Sequence, residues 1–353
     1  MTYRVIQWAT GNVGKLAIQA IARHPELELA GVWVHDEAKV GRDAGEIAGI
    51  APLGVRATND VEALLALDAD CVMYCPLPWQ VDEMCRILES RKNIVTTCGY
   101  HHPYIQFPEA TAELEAACQR GGVSLHSSGS NPGGVSERFP LTFSGWCSRI
   151  DKLVITEFGD CRHYEAPGMI FEVMLFGKTE AEARAGFMLE ILKRCFYESL
   201  DMVAAGLGVA IDRYGFEHQV ALAREPIETA AGVIETGMVA AQRFRYWGEV
   251  DGGPHLETRQ VWVMDELPFT RFDRPWESER LDGWKIHIEG DPSFDVNIDF
   301  PAHYTGRQRT RDGMMATAVH CVNAIPATCR AAPGIKTYLD LPMITARAGR
   351  RGA

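Results

Sequence analysis

Residues 9–14 read Ala-Thr-Gly-Asn-Val-Gly and stand between the apolar run Tyr3–Trp8 and a stretch of helical spacing that closes before Pro25. A G-x-G-x-x-G turn between a strand and a helix brings bare backbone amides up to a pyrophosphate at the positive end of the helix. Ala9 takes the first glycine's place here. Gly11 lets the backbone approach the phosphates, and Gly14 lets helix and strand pack closely. Thr10, Gly11, Asn12, Val13 and Gly14 are therefore candidate contacts to a dinucleotide, against the plainer reading of an ordinary tight turn.

The end of the second strand bears on which dinucleotide is held. A carboxylate there would bind the ribose 2′-hydroxyl of NAD. The run Leu27–His35 is followed by Asp36, so an imidazole comes first and the carboxylate one place later. Lys39 and Arg42 follow, and both suit the 2′-phosphate of NADP. His35 and Asp36 are candidate cofactor contacts, and the choice between NAD and NADP stays open.

Proton-handling groups cluster in the loop after the strand-like run Asn93–Thr97. Ligands in parallel sheets bind beyond the carboxyl ends of strands. Cys75, Thr97 and Cys98 stand at such ends and are candidate cofactor contacts. Tyr100, His101 and His102 are candidate proton donors or substrate contacts, with a solvent-exposed turn closed by Pro103 as the bland alternative. Asn131, in Ser130-Asn131-Pro132-Gly133-Gly134, falls where the strand–helix alternation ends and can present its amide to a nicotinamide carboxamide. Cys161-x-His163 and His320-Cys321 lack metal-site spacing, so no metal is expected. There is no G-x-S-x-G and no P-loop.

These residues need a scaffold, and the pattern supplies one. Strand-like runs at residues 3–8, 27–35, 71–74, 93–97 and 123–126 alternate with helical ones, which predicts an α/β, doubly wound parallel sheet. After Gly134 the chain changes character. Thr179 and Glu182 form a capping box ahead of an apolar face at Met188, Ile191, Leu192 and Cys195. Beyond Gly232 come Gly-punctuated strand-like runs, so an α+β domain with a mixed or antiparallel sheet is expected. Residues 1–135 form the expected Rossmann domain, completed by a last helical segment at about 310–353, and residues 136–309 the second domain. Met169, Phe171, Met174 and Phe176 can line an apolar pocket, although such spacing more often marks core.

Composition bounds the partners. Acidic residues number 47 against 35 basic, a formal charge of −12, which argues against nucleic acid or an anionic membrane. Ten cysteines without a C-x-x-C pair, and an N-terminus that enters a strand directly, suit a reduced cytoplasmic protein. No apolar run is long enough to cross a bilayer. Arg347, Arg350 and Arg351 form a small basic tail, expected to be solvated.

The dinucleotide turn together with residues 41–49, GRDAGEIAG, resembles the N-terminal domain of dihydrodipicolinate reductase. Over nearly the whole chain, ATGNVGK, DAGE, NIVTTC, GSNPGG and the long segment from Asp312 to Pro342 resemble 2,4-diaminopentanoate dehydrogenase and the native amine dehydrogenases. The resemblance implies a homodimer built on the α+β domain's sheet, and a final helix that brings Asn323 near the nicotinamide. Two departures stand out. The reductases' lysine and S-G-T clamp are missing from residues 157–169, EFGDCRHYEAPGM, which argues against lysine biosynthesis. The amine dehydrogenases' glutamate after the T-T-C strand end is replaced by Gly99-Tyr100-His101-His102.

Making an amine from a ketone and ammonia needs a group that deprotonates ammonium and protonates the leaving hydroxyl of the carbinolamine. A histidine can do both. It can equally polarise a carbonyl for simple reduction. Tyr164 is a further hydroxyl donor, and Glu137, Glu157 and Glu165 are acids within sequence reach. The expected function is an NAD(P)-dependent oxidoreductase of the amine dehydrogenase type, acting with ammonia on a small apolar carbonyl or amine. A carbonyl reductase and a non-catalytic dinucleotide sensor are the alternatives.

Overall fold

Cys71-Val72-Met73-Tyr74 is a continuous apolar run, and all four residues are buried. Such a strand needs cover on both faces, which is the signature of a central parallel strand. The computed structural model describes residues 2–264 and 282–347, apart from the side chains of Phe187 and Met188. Two compact units divide the chain: residues 1–134 with 314–353, and residues 135–313.

The first unit runs β1 (Tyr3–Trp8), α1 (Asn12–Arg23), β2 (Leu27–Trp33), α2 (Ala44–Ala48), β3 (Ala57–Thr58), α3 (Val61–Leu65), β4 (Cys71–Tyr74), α4 (Val81–Glu89), β5 (Asn93–Thr96), α5 (Pro108–Gly121) and β6 (Ser124–Ser127). The second holds α6 (Phe139–Ser144), β7 (Arg149–Asp160), α7 (Glu180–Ala185), α8 (Phe187–Gly206), β8 (Arg213–Leu222), β9 (Ile227–Thr229), β10 (Gly232–Ile234), β11 (Val239–Glu249), β12 (His255–Val263), β13 (Gly283–Asp291) and β14 (Phe294–Ile298). The division between units falls inside α9 (Gly306–Thr328), and β15 (Gly334–Lys336) returns to the first.

The first unit's sheet has the order β15-β6-β5-β4-β1-β2-β3 with every pairing parallel. Its two faces are separate cores. One gathers Val5, Met73 and Val95 against Ile18 and Ile21 of α1 and Val322 and Ile325 of α9. The other gathers Ile6, Val72 and Ile94 against Met84 and Leu88 of α4 and Leu114 of α5. This is the doubly wound α/β architecture. Sequence periodicity does not predict the short helices α2 and α3, because five residues span too few turns to show a period.

The second unit's sheet runs β14-β13-β7-β12-β11-β8 and is mixed, with β12–β7 its parallel pair and the rest antiparallel. Its core collects Leu153, Ile155, Phe244, Tyr246 and Ile286 with Phe196, Leu200 and Val203 of α8. Phe176 and Ile170 are buried in it, and Phe171 and Met174 pack against it, so the aromatic and methionine stripe is core. The capping box at Thr179 and Glu182 is present but starts the short α7, and Gly186 separates that helix from α8. The expected apolar face is correspondingly shifted: Leu189, Phe196 and Leu200 enter the core, while Ile191 and Leu192 are half-buried. The Met188 side chain, like Arg350 and Arg351 of the basic tail, lies outside the described residues. Arg347 is not simply solvated, since its guanidinium pairs with Glu26 at 2.5 Å.

The opposite face of the second sheet is charged. Glu257 on β12 is 1% exposed and meets Arg245 of β11 at 2.7 Å, Arg259, and His255 at 3.0 Å. Burial alone would raise its carboxyl, but the cations outweigh it and bring the pKa to about 2, from an ordinary 4.5. A depressed carboxyl stabilises the fold above its unfolded pKa and loses that contribution as pH falls toward the folded one. The contribution is therefore full above about pH 4.5 and fades toward about pH 2. Glu257→Gln should cost about 3 kcal/mol at neutral pH, because it removes the buried carboxylate that the half-buried Arg245 and Arg259 share. Denaturant midpoints measured between pH 7 and 3 should show the variant's acid dependence flattened; an unchanged midpoint at pH 7 would mean the network is idle.

Candidate functional site

Because every strand of the first unit is parallel, the C-terminal ends of its strands share one edge. The fingerprint residues follow β1, His35 and Asp36 follow β2, Cys75 follows β4, Thr97 to His102 follow β5, and Asn131 follows β6. The topological switch, where consecutive strands leave in opposite directions, lies between β1 and β4, the place where such sheets bind dinucleotides.

The fingerprint turn is built for close approach. A Cβ on Gly14 would lie 2.2 Å from the Ala9 carbonyl oxygen, so only glycine fits. A Cβ on Gly11 would meet no atom within 4 Å, which leaves open space at the helix start. Ala9 has φ +73°, the left-handed conformation that glycine adopts at no cost. Gln7 holds that turn by donating its Nε2 to the Ala9 carbonyl at 2.9 Å. Helix α1 has no side-chain cap and no acidic residue in its first turn, and its first internal bond is Lys15 N–H to Gly11 O at 3.0 Å. An uncapped N-terminus facing open space fits a pyrophosphate. Thr10, Gly11, Asn12, Val13 and Gly14 would hold it.

Beyond β2, His35 is exposed and its ring lies 6.2 Å from that of Trp33. Asp36 is also exposed, and its carboxylate accepts the Ala38 N–H at 3.0 Å. Lys39 bends back over the fingerprint, its Nζ 3.4 Å from Thr10 Oγ1. After β4 and β5 the thiols turn inward. Cys75 is raised to about 12 by burial, and Cys98, also raised by burial, donates to the Pro76 carbonyl at 3.2 Å. Thr97 Oγ1 lies 3.6 Å from the Cys98 sulfur. Thiols raised in this way are poor nucleophiles at neutral pH.

The paired histidines divide. Tyr100 is buried and packs edge-on against Trp79 and Phe107, while His101 is 2% exposed. His102 is half-buried, lies edge-on to Tyr104, and has its pKa lowered by burial. Of the pair, His102 alone keeps partial exposure. Asn131 is half-buried beside Ser130, whose hydroxyl lies 2.7 Å from Thr317 Oγ1 on α9. Asn323, half-buried, stands two residues beyond Cys321, whose sulfur lies 3.7 Å from the Thr96 carbonyl.

In the second unit, Tyr164 is half-buried and pushed up to about 12 by burial. Glu157 accepts both indole N–H groups of Trp262 and Trp284, at 2.8 and 2.9 Å, which makes it a structural acceptor. Glu165 is exposed and pairs with Arg307 at 3.3 Å. Glu137 is wholly buried and accepts the Ser136 hydroxyl at 2.9 Å. Among the described residues no group of three or more His, Cys, Asp or Glu is arranged to hold a metal, and no helix is long and apolar enough to cross a membrane.

Sequence reasoning missed a hydrogen-bonded chain on the same edge. Ser128 Oγ lies 2.6 Å from the Tyr338 hydroxyl, which lies 2.7 Å from His320 Nε2. In the sequence, His320-Cys321 reads only as an incomplete metal pair and Tyr338 belongs to no motif. Their partners are some 200 residues away in sequence, beyond the reach of any local spacing rule.

Fold and site define a nicotinamide-dinucleotide-dependent oxidoreductase. Residues 140–351 match the model of the 2,4-diaminopentanoate dehydrogenase C-terminal domain, and residues 5–122 that of the dihydrodipicolinate reductase N-terminus. The chain is 32% identical to an amine dehydrogenase of Streptomyces virginiae across 98% of both chains. It is 25% identical to the 2,4-diaminopentanoate dehydrogenase of Acetoanaerobium sticklandii across 78% of this chain and 74% of that one. A solved amine dehydrogenase structure from Mycobacterium smegmatis superposes with a TM-score of 0.81 over 98% of both chains at 20% identity, a likeness of fold. The chain belongs to the 2,4-diaminopentanoate dehydrogenase and amine dehydrogenase family.

The close approach at the fingerprint can be tested at both ends. Gly14→Ala should weaken NADPH binding, read by nucleotide fluorescence, by at least about tenfold or prevent folding. Ala9→Gly should leave binding intact and stabilise the protein by about 1 kcal/mol, since it relieves a left-handed alanine. A Gly14→Ala protein with normal stability and affinity would contradict this reading.

Proposed function

We propose that the protein catalyses the reductive amination of a small, largely apolar ketone or aldehyde with ammonia, or the reverse oxidative deamination. The observation that carries this reading is the 32% identity to an amine dehydrogenase across essentially both whole chains. Bound nicotinamide supplies or accepts the hydride. The chain's own residues must bind the carbonyl, admit ammonia and move protons. His102 is the proposed base among the predicted groups, because burial lowers its pKa and keeps it neutral near pH 7. Tyr100, His101 and Tyr164 are proposed as supports: buried Tyr100 and His101 hold the loop that carries His102, and Tyr164 offers a hydroxyl.

Lys39 tilts the proposed cofactor preference toward NADP. Its ammonium hangs above the fingerprint turn near Thr10, while the Asp36 carboxylate is engaged by the Ala38 amide. Asn131 and Asn323 are the proposed amide partners of the nicotinamide, with Cys75, Thr97 and Cys98 walling the ring. A homodimer is proposed on the family's pattern. The ten thiols, all free, suit a reducing cytoplasm.

The assay is NADPH and NADH oxidation with a panel of small ketones and aldehydes, with and without ammonium at alkaline pH. Consumption that requires ammonium and yields amine is the expected result. Consumption without ammonium would make the protein a carbonyl reductase, and nucleotide binding without any turnover would make it a sensor. His102→Gln should lower kcat about a hundredfold with nucleotide affinity retained. Lys39→Ala should weaken NADPH about tenfold while NADH stays within about twofold, the loss of one charge-assisted contact; equal losses would put the lysine at the pyrophosphate.

A further inference from the structure

Residues 41–49, GRDAGEIAG, begin a loop that one carboxylate ties together. Asp43 Oδ1 accepts the backbone N–H of Gly45 at 2.7 Å and that of Leu53 at 2.8 Å. Its Oδ2 accepts the Gly54 N–H at 2.8 Å. These backbone donors, that of Leu53 foremost, hold the carboxyl below the usual carboxylate range. The closed loop is tight at its waist, where a Cβ on Gly45 would lie 2.1 Å from the Ala51 carbonyl oxygen.

The loop is fastened on two sides. Ala44, Ile47 and Ala48 of α2 enter the core that holds α1, and Gln19 of α1 donates its Nε2 to the Ala48 carbonyl at 2.7 Å. Toward the sheet, Gly41 N–H reaches the Ala57 carbonyl at 2.8 Å, and Ala57 N–H the Arg42 carbonyl at 2.9 Å. Ala44 N–H donates to the Val55 carbonyl at 2.8 Å, and the Arg56 guanidinium to the Gly41 carbonyl at 2.8 Å. Ala57 lies in β3, which pairs with the end of β2. Residues 36–42 are therefore held at one end by β2 and at the other by the loop that Asp43 closes. Within them Lys39 N–H bonds the Asp36 carbonyl and Arg42 N–H the Lys39 carbonyl, at 2.9 and 3.1 Å, which fixes the backbone of Lys39. From there its Nζ comes within 3.4 Å of Thr10 Oγ1 and 3.5 Å of the Thr10 carbonyl.

We infer that Asp43 is a positioning residue for the nucleotide: it fixes the Lys39 turn relative to the fingerprint and so sets a preference for NADP over NAD. This rests on the reading of Lys39 as the contact to the 2′-phosphate. A lysine is a point charge on a flexible stem, so it discriminates well only when the backbone beneath it is ordered in advance. Without the Asp43 closure, the cost of ordering the turn falls on binding. The nucleotide that uses the ammonium, the one with a 2′-phosphate, then loses affinity, and NAD does not. A carboxylate suits this task because it is acceptor-only and its two oxygens can take three N–H groups at once. An amide in its place keeps one accepting oxygen and turns a donor toward the remaining N–H.

The test is a double-mutant cycle on nucleotide binding, read by the fluorescence of NADPH and of NADH with the full chain. Asp43→Asn should weaken NADPH about tenfold and NADH by less than about twofold. In a Lys39→Ala background, where the ammonium is already gone, Asp43→Asn should leave the ratio of the two affinities within about twofold. If Asp43→Asn weakens both nucleotides alike, or shifts the ratio equally in both backgrounds, Asp43 is merely structural and the inference is overturned. A ratio that Lys39→Ala leaves unchanged sinks the 2′-phosphate reading and the inference with it. An insensitive Asp43 beside a sensitive Lys39 sinks the inference alone. A second measurement serves if Asp43→Asn does not fold: hydrogen exchange of the unaltered protein without nucleotide. The amides of Gly41, Ala44 and Gly54 should exchange at least about a hundredfold more slowly than in an unstructured chain. Exchange at the unstructured rate would show that the turn is not ordered before the nucleotide arrives, and overturns the inference.

Discussion

The first unit depends on one contact: the passage of α1 over the Ala9 carbonyl at Gly14. With 2.2 Å between that oxygen and a would-be Cβ, the helix is seated against β1 as tightly as backbone allows. That closeness sets where the helix begins, and therefore where its unpaired amides point. It also explains the strained alanine. The turn must reverse in so little space that residue 9 is driven into a left-handed conformation, and Gln7 secures it with a side-chain bond to the same carbonyl. Ile18 and Ile21 on the far side of α1 then fix the helix in the core.

Much of this was legible in the residues. β4 is a short unbroken apolar run that makes sense only between two helical layers, and the fingerprint sits in the one context where it has meaning. The absence of a glutamate after β5 is equally readable. What could not be read was which histidine of the pair stays reachable. Chain-adjacent residues in a loop have no period, and the structure turns His101 inward and leaves His102 half-buried. The second unit was legible in class but not in detail. Glu157 reads as an available acid until two tryptophans from β12 and β13 are seen to occupy it. The α7–α8 break is invisible because a capping box followed by an apolar run looks like one helix.

The hydroxyl chain at Tyr338 shows a different kind of blindness. Each member is unremarked in its own neighbourhood: a serine after a strand, a tyrosine in a C-terminal run, a histidine on a helix. Parallel topology brings β15 beside β6 and α9 against the end of β5, and only that arrangement joins three ordinary residues into one hydrogen-bonded chain. The same arrangement explains why the C-terminal segment is bound up with the N-terminal one. The SNPGG glycines lie over side chains contributed from the last forty residues or so.

The pairing of β15 with β6 has a consequence for how the protein is made. On the ribosome, β6 emerges early and joins β5, but its outer edge has no partner until the whole second unit has been synthesised. An open strand edge is a template for association with other chains. The nascent protein therefore carries a sticky seam through most of its translation, closed only when Gly334–Lys336 arrives. Truncation near the C-terminus would leave the seam permanently open, and such fragments belong to the clientele of chaperones and proteases rather than to the pool of weak enzymes.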